Sequence, residues 1–108
     1  MRAQTAVYRS VMHGLLRLYA LREASAAAVY GRALAKALEE LGCRVSPSTL
    51  YPILDGLEQD GLLESEVEVV RGRARRYYRI TAEGEVVAAA IGEQVSPLVS
   101  HLFAASPN

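Results

Sequence analysis

With 108 residues, half of them apolar, the chain has the size of one domain with one modest core. Twelve basic and twelve acidic residues give a formal charge of zero, which excludes a surface that is uniformly of one sign. Charged residues interrupt the apolar stretches well before the ~20 residues of a membrane span, and the single Cys43 excludes an internal disulfide.

Residues 4 to 22 place Val7 or Tyr8, Val11, Leu15, Leu18 or Tyr19, and Leu21 at helical spacing. Leu16 widens the stripe, and a helix that buries more than one face has a second partner surface. The stretch EASAAA offers Ser25 as a cap and opens a second helix to Leu41, lined by Leu34, Leu38 and Leu41 and stopped by Gly42. Gly31 inside it costs about 1 kcal/mol relative to Ala, which points to close packing against a neighbouring helix.

After a short GCRV turn, SPSTLYPILDG opens the third helix, capped by Ser46 with Pro47 first inside and ending near Asp60 and Gly61. Leu50, Ile53, Leu54 and Leu57 make its buried stripe. Ser48, Thr49, Tyr51 and Asp55 make an outer face that is small, hydroxylated and aromatic. Pro52 lies inside the pattern, deletes a backbone hydrogen bond and predicts a bend just after the first turn. Two helices joined by a short turn, the second polar outside, form a helix-turn-helix unit.

LLESEVEVV then alternates Leu63, Ser65, Val67 and Val69 against Glu64, Glu66 and Glu68, the period of a half-buried strand. RRYYRIT reads as a second strand after an RGRA turn. Centring the hairpin on Gly72 and Arg73 opposes Glu66 to Arg79 and Val67 to Tyr78. Tyr78 is the expected core residue of the Tyr pair. Charge divides sharply here. Asp55, Glu58, Asp60, Glu64, Glu66 and Glu68 precede the turn without a base, and Arg71, Arg73, Arg75, Arg76 and Arg79 follow it without an acid.

Thr81 caps a last helix with Glu83 in its first turn. Val87, Ile91, Val95, Leu98 and Leu102, with Val99 and Phe103, form its apolar side, and Pro97 predicts a kink or a division. No repeat or low-complexity linker is present, and only the AASPN tail reads as frayed.

Three helices followed by a hairpin is the winged helix-turn-helix order: mainly α, with one small β-hairpin and a C-terminal dimerisation helix. In that architecture the third helix enters the major groove and the hairpin lies along the backbone. The expected DNA face holds Ser46, Ser48, Thr49, Tyr51 and Pro52 on the third helix. It continues through Arg71, Gly72, Arg73, Arg75 and Tyr77 on the wing to Arg32 and Lys36 on the second helix. Tyr51 has a plainer reading, packed on the hairpin with its hydroxyl wet, and Arg79 has one as the partner of Glu66.

STLYPILDGLEQDGLLES and then GRARRYYRITAEGE closely resemble the PadR family of bacterial transcription regulators, and GRALAKALEEL resembles the family's second helix. The resemblance covers about residues 10 to 90. Where the family usually has Tyr after the glycine of helix two, this chain has Arg32, with Tyr30 before the glycine. The resemblance implies a homodimer on an inverted-repeat operator, often a repressor, released in many members by a small apolar or aromatic molecule. It also implies a dimer made by the first and last helices. The residues point the same way, because those helices are too apolar for one small core. The expected seam is Val7, Val11, Leu15, Leu18, Val87, Ile91, Val95, Leu98 and Leu102. Residues 1–81 then form the DNA-binding domain and 82–108 the dimerisation helix of the same compact unit.

Cys43 reads as a small buried filler rather than a redox sensor. His13 and His101 lack neighbours at ligand spacing, so no metal is expected, and no cofactor. No nucleophile–base set or phosphate loop appears, so no enzyme is expected. The N-terminus lacks the order of a secretory leader, so a cytoplasmic location is expected. Two other classes fit the same residues. One is a winged helix for protein contact, using the acidic strand; the other is a nucleic-acid binder without sequence preference.

Overall fold

The computed structural model describes residues 2–104. Among them, α1 spans Arg2–Ala26, α2 Gly31–Glu40, α3 Pro47–Gln59, β1 Leu63–Val70, β2 Arg73–Ile80 and α4 Ala82–Leu102. The frayed end expected at AASPN lies, from residue 105 on, outside the described residues. The radius of gyration is 15.5 Å, against about 13 Å for a compact domain near this length. The molecule is correspondingly elongated, with principal-axis extents of 57 × 32 × 25 Å.

Leu16, Ala20, Leu21 and Ala24 of α1, Leu34 and Leu38 of α2, and Leu50, Ile53, Leu54 and Leu57 of α3 form the core with Leu63, Tyr78 and Ala88. The stripe expected on α3 is buried in full. Leu41 differs from expectation. It is the C-cap of α2 and stands 71% exposed, because the chain turns away there at Gly42, whose φ is +87°.

Ser25 does not open α2. It lies in the last turn of α1, and its hydroxyl donates to Glu85 Oε1 of α4 at 2.5 Å. Alanine favours helix, so the Ala-rich run extends α1 rather than starting a new element. The link from α1 to α2 is extended instead. Val29 pairs with Tyr78 through two backbone hydrogen bonds of 2.9 and 2.7 Å, adding a single antiparallel bridge beside β2. Gly31 is therefore the first residue of α2, not an interior one. The close packing expected of it is real, because a Cβ there would meet the ring of Tyr51.

The hairpin register pairs Leu63 with Ile80, Glu64 with Arg79, Glu66 with Tyr77 and Val67 with Arg76. The expected pairs Glu66–Arg79 and Val67–Tyr78 are thus two residues out of step. The turn is Arg71–Gly72, with φ of 53° and 78°. Positive φ at both central residues is the two-residue hairpin geometry that matches strand twist. A slip of two keeps every side chain on its expected face and changes only its partner.

Three hydrogen bonds lock the base of the hairpin. Thr81 donates its hydroxyl to Gly61 O at 2.7 Å and its N–H to Leu62 O at 3.0 Å, and it accepts from Gly84 N at 3.0 Å. Thr81 is therefore the cap expected of it. Gly84 is required for packing, since a Cβ would strike the Leu62 carbonyl. Pro97 does not divide α4, which is assigned as one helix through Leu102.

Candidate nucleic-acid interface

α3 is held by its buried leucines, so its outward side is set by helical spacing. Ser48, Tyr51, Pro52 and Asp55 are all exposed there. Ser46 sits at the N-cap, but its side chain does not cap the helix. Its hydroxyl bonds instead to Ser48 Oγ at 2.8 Å and Thr49 Oγ1 at 3.2 Å, so three hydroxyls cluster at the first turn. Such groups both donate and accept, which suits phosphate oxygens and base edges alike. α3 continues unbroken past Pro52, which stands on the exposed side. The ring of Tyr51 covers Gly31 at the start of α2, and the residue stays 41% exposed.

The hairpin is fixed to α3 through its inner face. Tyr78 is 1% exposed and donates its hydroxyl to Asp55 Oδ1 at 2.7 Å. Burial first, then the bond to the Asp55 carboxylate and its charge, hold the Tyr78 hydroxyl well above its ordinary ionisation range. Glu58 Oε2 accepts from Ser65 N at 3.1 Å and Ser65 Oγ at 2.8 Å, and Arg76 donates to the same Ser65 oxygen at 3.0 Å. Arg79 lies opposite Glu64 and makes no ion pair among the described residues.

The outer face is different. Arg75 lies over the ring of Tyr30, 4.7 Å from its centre, and Tyr77 meets the same ring edge-on with centroids 5.2 Å apart. A cation over an aromatic face is attracted by about 0.5–1 kcal/mol at exposed sites. Arg75 and Tyr77 are thus half-buried by Tyr30, while Arg71, Gly72 and Arg73 are exposed at the tip. Tyr30, Arg32, Lys36 and Arg75 line one open groove of about 610 Å³ between α2 and the wing, with Glu40 as its acidic member. The structure therefore brings Arg32, Lys36 and Arg75 together and leaves the wing tip apart. Tyr30 is the residue that sequence reading passed over as part of the site. Its signal was an aromatic beside the helix-opening glycine, within the reach of a Tyr of β2.

The expected seam residues occupy a separate surface. Val7, Val11 and Leu15 on α1 are exposed, as are Ile91, Leu98 and Leu102 on α4. Leu18, Val87 and Val95 are half-buried. Cys43 is half-buried, in the wall of an apolar recess with Leu15, Leu18, Tyr19 and Leu38. Among the described residues no group of His, Cys, Asp and Glu could hold a metal, and no helix is long and apolar enough to cross a membrane.

Comparison with known proteins agrees with this geometry. Residues 18–90 match the transcriptional regulator PadR-like family. Transcriptional regulator Rv3488 of Mycobacterium tuberculosis is 50% identical over 76 residues, which is 70% of this chain and 71% of that one. The crystal structure of a PadR family transcriptional regulator from Eggerthella lenta is 31% identical, with a TM-score of 0.75 over 98% of this chain and 100% of that one. A PadR-like transcriptional regulator from Bacillus cereus is 27% identical, with a TM-score of 0.73 over 90% of this chain and 99% of that one. An exposed hydroxyl-rich helix turn beside an Arg-bearing wing, on a chain matched in sequence and fold alike, makes this protein a member of the PadR-like family of transcriptional regulators.

Proposed function

We propose that the chain is a cytoplasmic, sequence-specific DNA-binding repressor, not an enzyme, that acts as a homodimer on an inverted-repeat operator. The observation that carries this is the exposed first turn of α3 with the cationic groove beside it. In this reading Ser46, Ser48, Thr49, Tyr51 and Pro52 enter the major groove. Arg32, Lys36 and Arg75 hold phosphates beside it. Arg71, Gly72 and Arg73 reach the backbone at the wing tip, and Tyr77 supports Arg75 through Tyr30. The family resemblance supports repression and release by a small apolar or aromatic molecule.

The uncovered apolar side chains of α1 and α4 support the dimer. Val7, Val11, Leu15, Leu98 and Leu102 are each about half exposed or more in the single chain, and a two-fold seam would remove them from water. Sedimentation of Leu98→Asp should show monomer where the parent shows dimer, because a seam cannot bury an unpaired charge. A variant that stays dimeric puts the seam elsewhere.

The test of DNA reading is a gel-shift titration against the gene's own upstream duplex, with an unrelated duplex of equal length as competitor. A complex that survives the competitor supports a specific regulator. Equal displacement by the competitor overturns specificity and favours a general nucleic-acid binder. Absence of any complex overturns the DNA reading and favours protein contact through Glu64, Glu66 and Glu68, which stand together on the exposed outer face of β1.

A further inference from the structure

A helix lying in the major groove, about 12 Å wide, has a phosphate backbone on each side of it. The cations named so far serve one side of α3, where α2 and the wing stand. The other side of α3 faces α1. Along α1 the buried stripe Leu16, Ala20 and Ala24 continues toward the N-terminus, at the same helical spacing, to His13 and Arg9. The face that is core in the second half of α1 becomes basic in the first half.

The two residues lie where a phosphate would be useful. Arg9 and His13 line a groove of about 450 Å³ with Arg44, Ser46 and Thr49, and no acidic residue borders it. The adjoining groove sets His13 and Arg17 beside Ser48, Thr49 and Pro52, with Asp60 as its one acid. Arg44 pairs with Glu39 at 3.6 Å. Among the described residues no carboxylate pairs with Arg9, His13 or Arg17. The proposed seam residues Val7, Val11, Leu15 and Leu18 lie on the opposite side of the same helix, so a second copy would leave this stripe open.

We propose that Arg9, His13 and Arg17 bind the phosphates of the DNA strand that borders α3 on the side away from the wing. α1 then works on both faces: one toward a second copy, one toward DNA. The proposal rests on the DNA-binding reading above. Arginine suits the task because its fork of donors matches phosphate oxygens.

The experiment is fluorescence anisotropy of a labelled duplex from the gene's own upstream region, across a salt series. Arg9→Ala/Arg17→Ala should weaken binding and lower the log–log salt slope by about two per protomer, one for each lost phosphate contact, and so by about four for the dimer on its operator. Arg9→Lys/Arg17→Lys should keep the parent slope. Arg22→Ala is the control, since Arg22 is exposed on the same helix but borders the apolar recess on its other side. It should leave the slope unchanged. All variants are checked by thermal melts, where these exposed arginines should leave the parent transition. A parent slope retained by the double alanine variant, while Arg73→Ala lowers it, overturns the α1 proposal and leaves the DNA reading standing. An equal fall for Arg22→Ala also overturns it, since the effect would then be overall charge. No binding by the parent protein even at low salt overturns both.

Discussion

At the base of the hairpin, Leu63 and Tyr78 are buried against the helices and Thr81 ties the strand end to the exit of α3. At the tip, Val67 and Val69 continue the same alternation and are 52% and 73% exposed. The two ends share one period and differ in what covers them. Alternation states which side chains share a face of a strand; the reach of the neighbouring helices decides how much of that face is dry. A strand of this length extends roughly 26 Å at about 3.3 Å per residue, and only its first residues lie over α3. The base is therefore built for stability, and the tip is free to meet something else.

Four substitutions can break or sharpen that contrast. Tyr78→Ala should cost about 3–5 kcal/mol, the range for emptying a buried aromatic site, and Val69→Ala less than about 0.5 kcal/mol. Urea unfolding of both variants decides it, and comparable losses would mean that the tip is covered. Gly84→Ala should cost about 2 kcal/mol, because the new methyl meets the Leu62 carbonyl, which the Thr81 N–H already holds. A melting temperature equal to the parent's would show that the base is looser than its hydrogen bonds imply. Arg73→Ala should shift stability by less than about 0.5 kcal/mol and lower the DNA salt slope by about one per protomer. A change in stability without a change in slope would reverse the roles assigned to tip and base.

The base of the hairpin also carries a dependence on pH. The Tyr78 hydroxyl is held above the ordinary value of 10.0, so the unfolded chain ionises first as the solution becomes alkaline. Its contribution is intact below about pH 10 and is lost as pH rises beyond that. Tyr78→Phe removes the bond to Asp55 and should be about 1 kcal/mol less stable at neutral pH. That deficit should narrow above pH 10 in paired urea titrations. A constant gap would show that the Tyr78 hydroxyl does not set the alkaline limit.

Most of the fold is legible in the residues because apolar spacing repeats over several turns. The α3 stripe, the glycine stops at Gly42 and Gly61, the Thr81 cap and the burial of Tyr78 all follow from local pattern. The misreadings share a cause. Ser25 was a plausible cap, yet its hydroxyl is taken by Glu85, sixty residues away. The hairpin register depended on which two residues take positive φ, and Arg71 takes it without the freedom of glycine. The role of Tyr30 depends on Arg75 and Tyr77 arriving from β2, far along the chain. The candidate site was legible where one helix carries it, at Ser46 to Pro52. It was not legible where three elements meet.

The outer edge of β1 is unpaired among the described residues, since the sheet has only two strands and Val29 bridges the β2 side. An exposed edge bearing Val67, Val69 and Val70 invites another strand to add itself, the first step of sheet aggregation. Glu64, Glu66 and Glu68 alternate with those valines along the same edge. A second copy of β1 laid alongside would bring carboxylate against carboxylate, while β2 offers Arg75 opposite Glu68 and Arg79 opposite Glu64. The acidic strand therefore acts as a gatekeeper: its charge admits the hairpin's own partner and repels its twin, so the wing can project into solvent without becoming adhesive.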